Sequence, residues 1–84
     1  MFVVEDERHA EVVGRFGTHA EATTELRRLA MIAWDEAPNA PPCRSWKTCG
    51  RTYEVIEYDI TQTPWREVSR TPALDISAGG VRWL

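Results

Sequence analysis

Glu11-Val12-Val13-Gly14-Arg15-Phe16-Gly17-Thr18-His19-Ala20-Glu21-Ala22 is the stretch on which the fold turns. Its first half is a Val-rich run in which Val12, Gly14 and Phe16 alternate with Glu11, Val13 and Arg15, the period of a β-strand. Gly17 breaks that run. Thr18 followed by Glu21 then forms a Thr-x-x-Glu capping box, in which each side chain satisfies a backbone N–H left free at a helix start. Beyond it Ala22, Leu26, Leu29, Ala30 and Ala33 recur at helical spacing, with Thr24, Arg27, Arg28 and Met31 on the opposite side. The pattern predicts an amphipathic helix from His19 to Trp34 or Asp35, with Glu25 and Arg28 paired across one turn of its solvated face.

Toward the N-terminus, Phe2 to Glu5 is a second Val-rich strand, joined to the first by the charged turn Asp6-Glu7-Arg8-His9-Ala10. On the other side, Pro38, Pro41 and Pro42 cannot continue a helix. They open a loop, residues 37–50, that is long for a compact domain, where most connections run ~4 to 6 residues. Thr52 to Ile60 is a strand by composition, and its alternation sets Ile56 and Tyr58 as the residues expected to face the helix. Trp65 to Arg70, Leu74 to Ser77 and Val81 to Leu84 follow as a meander, with turns expected at Thr61–Pro64, at Thr71-Pro72 and at Ala78-Gly79-Gly80. The fold class predicted is α+β, an antiparallel sheet of four or five strands with one amphipathic helix on one face, in the order β-β-α-β-β-β. One helix covers only part of such a sheet. The face left open is expected to carry Val3, Val13, Tyr53 and Val55, a candidate interface.

Composition narrows the function. Eighty-four residues make a single small domain, residues 1–84, and the net charge of −3 provides no basic face for wrapping nucleic acid. No apolar run approaches the ~20 residues of a membrane span, and the acidic start does not read as a signal peptide, so a cytoplasmic chain is expected. Nine of the ten basic residues are Arg, and the four Trp are expected to be structural first.

The chemistry-bearing residues are few. Cys43 and Cys49 stand at Cys-x5-Cys, too widely spaced for a Cys-x-x-Cys redox or zinc motif, and reduced thiols are expected. Five intervening residues can also close a disulfide ring. No metal and no cofactor are expected, because His9 and His19 lie in separate elements with nothing in the sequence to bring them to the loop. A nucleophilic cysteine flanked by Arg44, Lys47 and Arg51 lacks an identified base. Glu54, Glu57 and Asp59 read as solvated carboxylates. Trp46, Lys47, Arg51 and Tyr53, with Cys43 and Cys49, mix aromatic rings and cations in the long loop and the strand after it, and are the candidate binding residues.

Val12-Val13-Gly14-Arg15-Phe16 with Ala22 and Leu26 resembles the strand-to-helix unit of SPOR peptidoglycan-binding domains, and a similar unit occurs in HicB-like antitoxins. The resemblance spans Val12 to Leu26 and implies only a helix packed over a sheet. No binding residue is carried over from either family.

The function expected is therefore a small protein-interaction domain, a homodimer or bound to a larger partner. A small-molecule or peptide binder using the 38–51 loop comes second, and a thiol-dependent enzyme third.

Overall fold

The computed structural model describes residues 1–42 and 49–84. Strands β1 (Phe2–Asp6) and β2 (Glu11–Phe16) precede helix α1 (His19–Ala30), and β3 (Gly50–Asp59), β4 (Arg66–Ser77) and β5 (Gly80–Trp83) follow it. The strands form one sheet in the order β2-β1-β3-β4-β5, antiparallel at every pairing. This is the α+β architecture, in the order β-β-α-β-β-β, that the sequence predicts.

The Thr18 half of the predicted capping box forms, while the Glu21 carboxylate accepts from the Thr18 hydroxyl. Thr18 lies in extended conformation and its hydroxyl accepts from the Glu21 N–H at 3.2 Å. Ala22, Leu26 and Leu29 are buried against Val4, Tyr53, Val55, Leu74 and Ile76, with Phe2, Val13, Phe16, Ile32 and Trp34 packed around them. The helix stops at Ala30, short of the predicted Trp34. The N–H groups of Met31 and Ile32 turn back to the carbonyls of Arg28 and Leu29. Asn39 in the following loop donates to the carbonyls of Leu29 and Ile32, so the chain leaves the helix while Ile32 and Trp34 still reach the core.

Two expectations about the strands are corrected. Thr71-Pro72 is not a turn, because β4 runs through it. Pro72 pairs with Glu54 where the register slips after Tyr53, and a bulge is where a residue without an N–H fits inside a sheet. The phase of β3 is also the reverse of the one expected. Val4 pairs with Val55 and Asp6 with Tyr53, and since directly opposed residues share a face, Tyr53 and Val55 point to the helix. Both are buried in the core, as is Val4. Val13 sits at the register slip of β2 and packs on the same side, so Val13, Tyr53 and Val55 form no open face.

The other face carries a row running Arg15, Val3, Ile56, Arg70 across four strands. Val3 and Ile56 are buried there, flanked by two arginines whose long stems cover apolar surface. Arg70 is held by Glu54, Glu5 and Glu67, and the Arg15 guanidinium lies 5.5 Å above the Trp65 ring, which leans on Tyr58. Among the described residues, no helix is long and apolar enough to cross a membrane.

Candidate functional site

Two regions concentrate polar chemistry or open surface. The first lies at the end of β1. Asp6, the last residue of that strand, is fully buried, and its carboxylate accepts four hydrogen bonds. The backbone N–H groups of Arg8 and Thr52 donate to Oδ1. Oδ2 accepts from His9 Nδ1 at 2.5 Å and from the Arg51 guanidinium at 2.9 Å. A buried carboxylate is tolerated only with such partners.

Arg51 is buried as well. It donates to Glu11 and to the backbone carbonyls of Asn39 and Ala40, and so ties the start of the proline loop to the strand that follows it. Asn39 completes the fastening, since its Oδ1 accepts from the Tyr53 hydroxyl at 2.9 Å. Burial, opposed by Arg51 and reinforced by Asp6, Glu11 and Glu25, pushes the Tyr53 hydroxyl up to about 12. Arg51 and Tyr53, expected to offer a binding surface, are instead interior members of this network.

His9 Nε2 faces Cys49 Sγ at 3.3 Å. The turn after β1 brings them together: its Ala10 adopts a positive φ of 53°, and the Glu7 N–H donates to Thr52 O. Gly50 seats Cys49 from the other side, since a Cβ there would meet Ile76 O at 2.6 Å. Cys49 is disulfide-bonded, which corrects the expectation of reduced thiols. The physical reason lies in Arg51, which holds Asn39 and Ala40 beside the start of β3 and so draws the two ends of the proline loop together around Cys49. Cys43, Trp46 and Lys47 lie outside the described residues. Asp6, His9 and Cys49 are strung in a chain, and among the described residues no group of three or more His, Cys, Asp or Glu is arranged to hold a metal ion.

The second region is the edge formed by β5. All four of its residues are exposed, and Val81 and Trp83, about half exposed, share a side of the strand with the helix because they pair with Ile76 and Leu74. On one flank is a groove of about 320 Å³ lined by Phe2, Leu26, Val55, Ala73, Trp83 and Leu84, among others. On the other flank Met31, Ile32, Trp34 and Ile76 line a second depression with Val81. Trp65 and Trp83 are thus exposed, and the expectation that every tryptophan is structural first does not hold for them.

No known protein family matches this chain, and no curated protein or solved structure is similar to it.

Sequence reasoning missed Asp6, His9 and Asn39. Asp6 was legible only as part of a charged turn, Asn39 only as a loop residue among prolines, and His9 as a histidine with nothing in the sequence to bring it to the cysteine loop, which the pairing of β1 with β3 does. The one local hint is their spacing, an Asp and a His three residues apart in a turn tight enough for the side chains to meet.

Glu54 was read as solvated and is almost completely buried. Burial pushes its carboxyl above the usual range, against the pull of Arg70. The hydrogen bonds that Arg70 donates to Glu67, with Glu54 and Glu5 nearby, in turn raise Arg70. At the sheet's other end the Thr52 hydroxyl and Arg82 hold the Asp75 carboxyl below its usual range.

Proposed function

We propose that this chain is a protein-interaction domain that pairs with a second copy of itself through the free edge of β5. The observation that carries the reading is the contrast between the two edges of the sheet. The β2 edge is interrupted by a register slip and carries Glu11 and Arg15, devices that discourage strand addition. The β5 edge has no slip, and its one charged residue, Arg82, is neutralised within the chain by Asp75 at 3.1 Å.

The backbone of β5 is open to a partner. The Leu84 N–H points inward to Ala73 O, so by the alternation of an antiparallel ladder the N–H and C=O groups of Val81 and Trp83 point outward. An apolar stripe of Met31, Val81, Trp83 and Leu84 accompanies them. An antiparallel β5–β5 pairing about a two-fold axis satisfies those groups with identical ones and covers both stripes at once.

Light scattering over a concentration series tests this. The weight-average mass of the wild type is expected to rise from 9.6 kDa toward twice that value, and Val81→Lys, at an exposed edge position, is expected to stay at the monomer mass with an unchanged melting temperature. A wild type that remains monomeric up to its solubility limit overturns the proposal, as does a Val81→Lys chain that dimerises like the wild type.

A further inference from the structure

We infer that the groove between α1 and the β4–β5 hairpin is a binding site for a small organic cation, an amine or quaternary ammonium carrying an aromatic or aliphatic body. The twelve-residue helix is too short to roof the whole sheet, and the first part of β4, Arg66–Pro72, stays exposed beside it. The space left there, about 320 Å³, has the size of a small-molecule cavity. It belongs to a single chain, so the inference does not rest on pairing at the β5 edge.

The register of the sheet decides which side chains enter this space. Phe2 pairs with Glu57 and Glu57 with Ser69, while one rung along Val4 pairs with Val55 and Val55 with Thr71. Opposed residues share a face, and Val55 points to the helix, so Glu57, Ser69 and Thr71 stand on that face too. All three line the groove, where they bring one carboxylate and two hydroxyls together against apolar walls that include Leu26, Ala73 and Trp83. Such a mixture, mostly apolar with a few convergent polar groups, is what fixes a small ligand in one orientation.

Glu57 supplies the selectivity. Of the three acids on β3, Glu54 is held by Arg70 and Asp59 by Thr61, whereas Glu57, half-buried, makes no hydrogen bond or ion pair with any described residue. No lysine or arginine lines the groove among the described residues, so an anionic ligand would find no counter-charge there. A hard metal ion takes several oxygen ligands, which one carboxylate among apolar walls does not provide. An organic cation needs less. Phe2, opposite Glu57 on β1, and the half-exposed Trp83 add aromatic rings that attract an ammonium group and cover an apolar body. His19, whose ring meets Phe2 edge-on at 5.6 Å, lines the helix side, and the chain's net charge of −3 draws cations toward it.

Titration of phenethylamine into the isotope-labelled wild-type chain at neutral pH, followed by proton–nitrogen correlation NMR, tests the site. Phenethyl alcohol serves as the neutral isostere. The amine is expected to bind saturably with a dissociation constant of about 1 mM, typical of so small a ligand, and to move the signals of Val55, Glu57, Thr71 and the Trp83 indole. The alcohol is expected to bind roughly tenfold more weakly, the usual worth of a hydrogen bond to a charged group. Glu57→Gln should reduce the amine to the affinity of the alcohol while leaving the alcohol's own affinity and the melting temperature unchanged. Absence of saturable binding, equal affinity for amine and alcohol, signal changes confined to residues outside the groove, or undiminished amine binding by Glu57→Gln each overturn the inference. Should that variant fail to fold, the contrast between amine and alcohol on the wild type decides.

Discussion

Replacing Asn39 by Ala should be among the most damaging single changes in this chain, although Asn39 stands in a loop. The side chain makes three hydrogen bonds, to Leu29 O, Ile32 O and the Tyr53 hydroxyl. At a net value of ~1 kcal/mol each, their loss costs ~3 kcal/mol. Leu29 O keeps a partner in the Ile32 N–H. The Tyr53 hydroxyl does not, and with Tyr53 fully buried the orphaned donor adds ~1 kcal/mol or more. The total, ~4 kcal/mol, is to be set against the ~4 to 12 kcal/mol that a chain of this length holds altogether. The melting temperature is expected to fall by ~15 to 30 °C.

A double-mutant cycle with Tyr53→Phe, followed by chemical denaturation, separates the terms. Tyr53→Phe alone removes one bond and is expected to cost ~1 to 2 kcal/mol. Adding it to Asn39→Ala should cost less than it does alone, because the hydroxyl left stranded by the first change is gone. A loss below ~0.5 kcal/mol for Asn39→Ala, or strict additivity of the two changes, would refute the reasoning that this residue fastens loop, helix and sheet together.

Two further outcomes follow from the same geometry. Thr18→Ala is expected to cost ~1 kcal/mol by chemical denaturation, since the Glu21 N–H loses its acceptor. Stability should also decline at high pH through Tyr53. Its folded value of about 12 lies above the ordinary 10.0, so the stability tied to its protonated form is complete below pH 10 and is lost as pH rises through 12. The alkaline slope of the wild type should exceed that of Tyr53→Phe, and equal slopes would count against a buried, un-ionised hydroxyl.

Local residue patterns are enough to specify the set of elements and their order. The strand ending at Phe16, the Thr18 to Glu21 cap and the Ala22, Leu26, Leu29 stripe are written in residues within one or two turns of one another, where local backbone chemistry decides. The five strands are likewise local patterns, apart from the Thr71-Pro72 break, which β4 absorbs as a bulge because its neighbour β3 holds it in place. Tertiary structure decided everything that depends on which partner arrives. A period of two divides β3 into Tyr53, Val55 and Glu57 against Glu54, Ile56 and Tyr58, but the pattern is apolar and acidic on both sides, and only the register with Val4 and Asp6 turned Tyr53 and Val55 to the helix. Asp6 stands 45 residues from Arg51 and His9 stands 40 from Cys49, so no local spacing could announce the buried carboxylate or the histidine on the sulfur. Those contacts exist because β1 pairs with β3 and carries its turn to the mouth of the loop, a juxtaposition that belongs to the sheet and not to any segment of it.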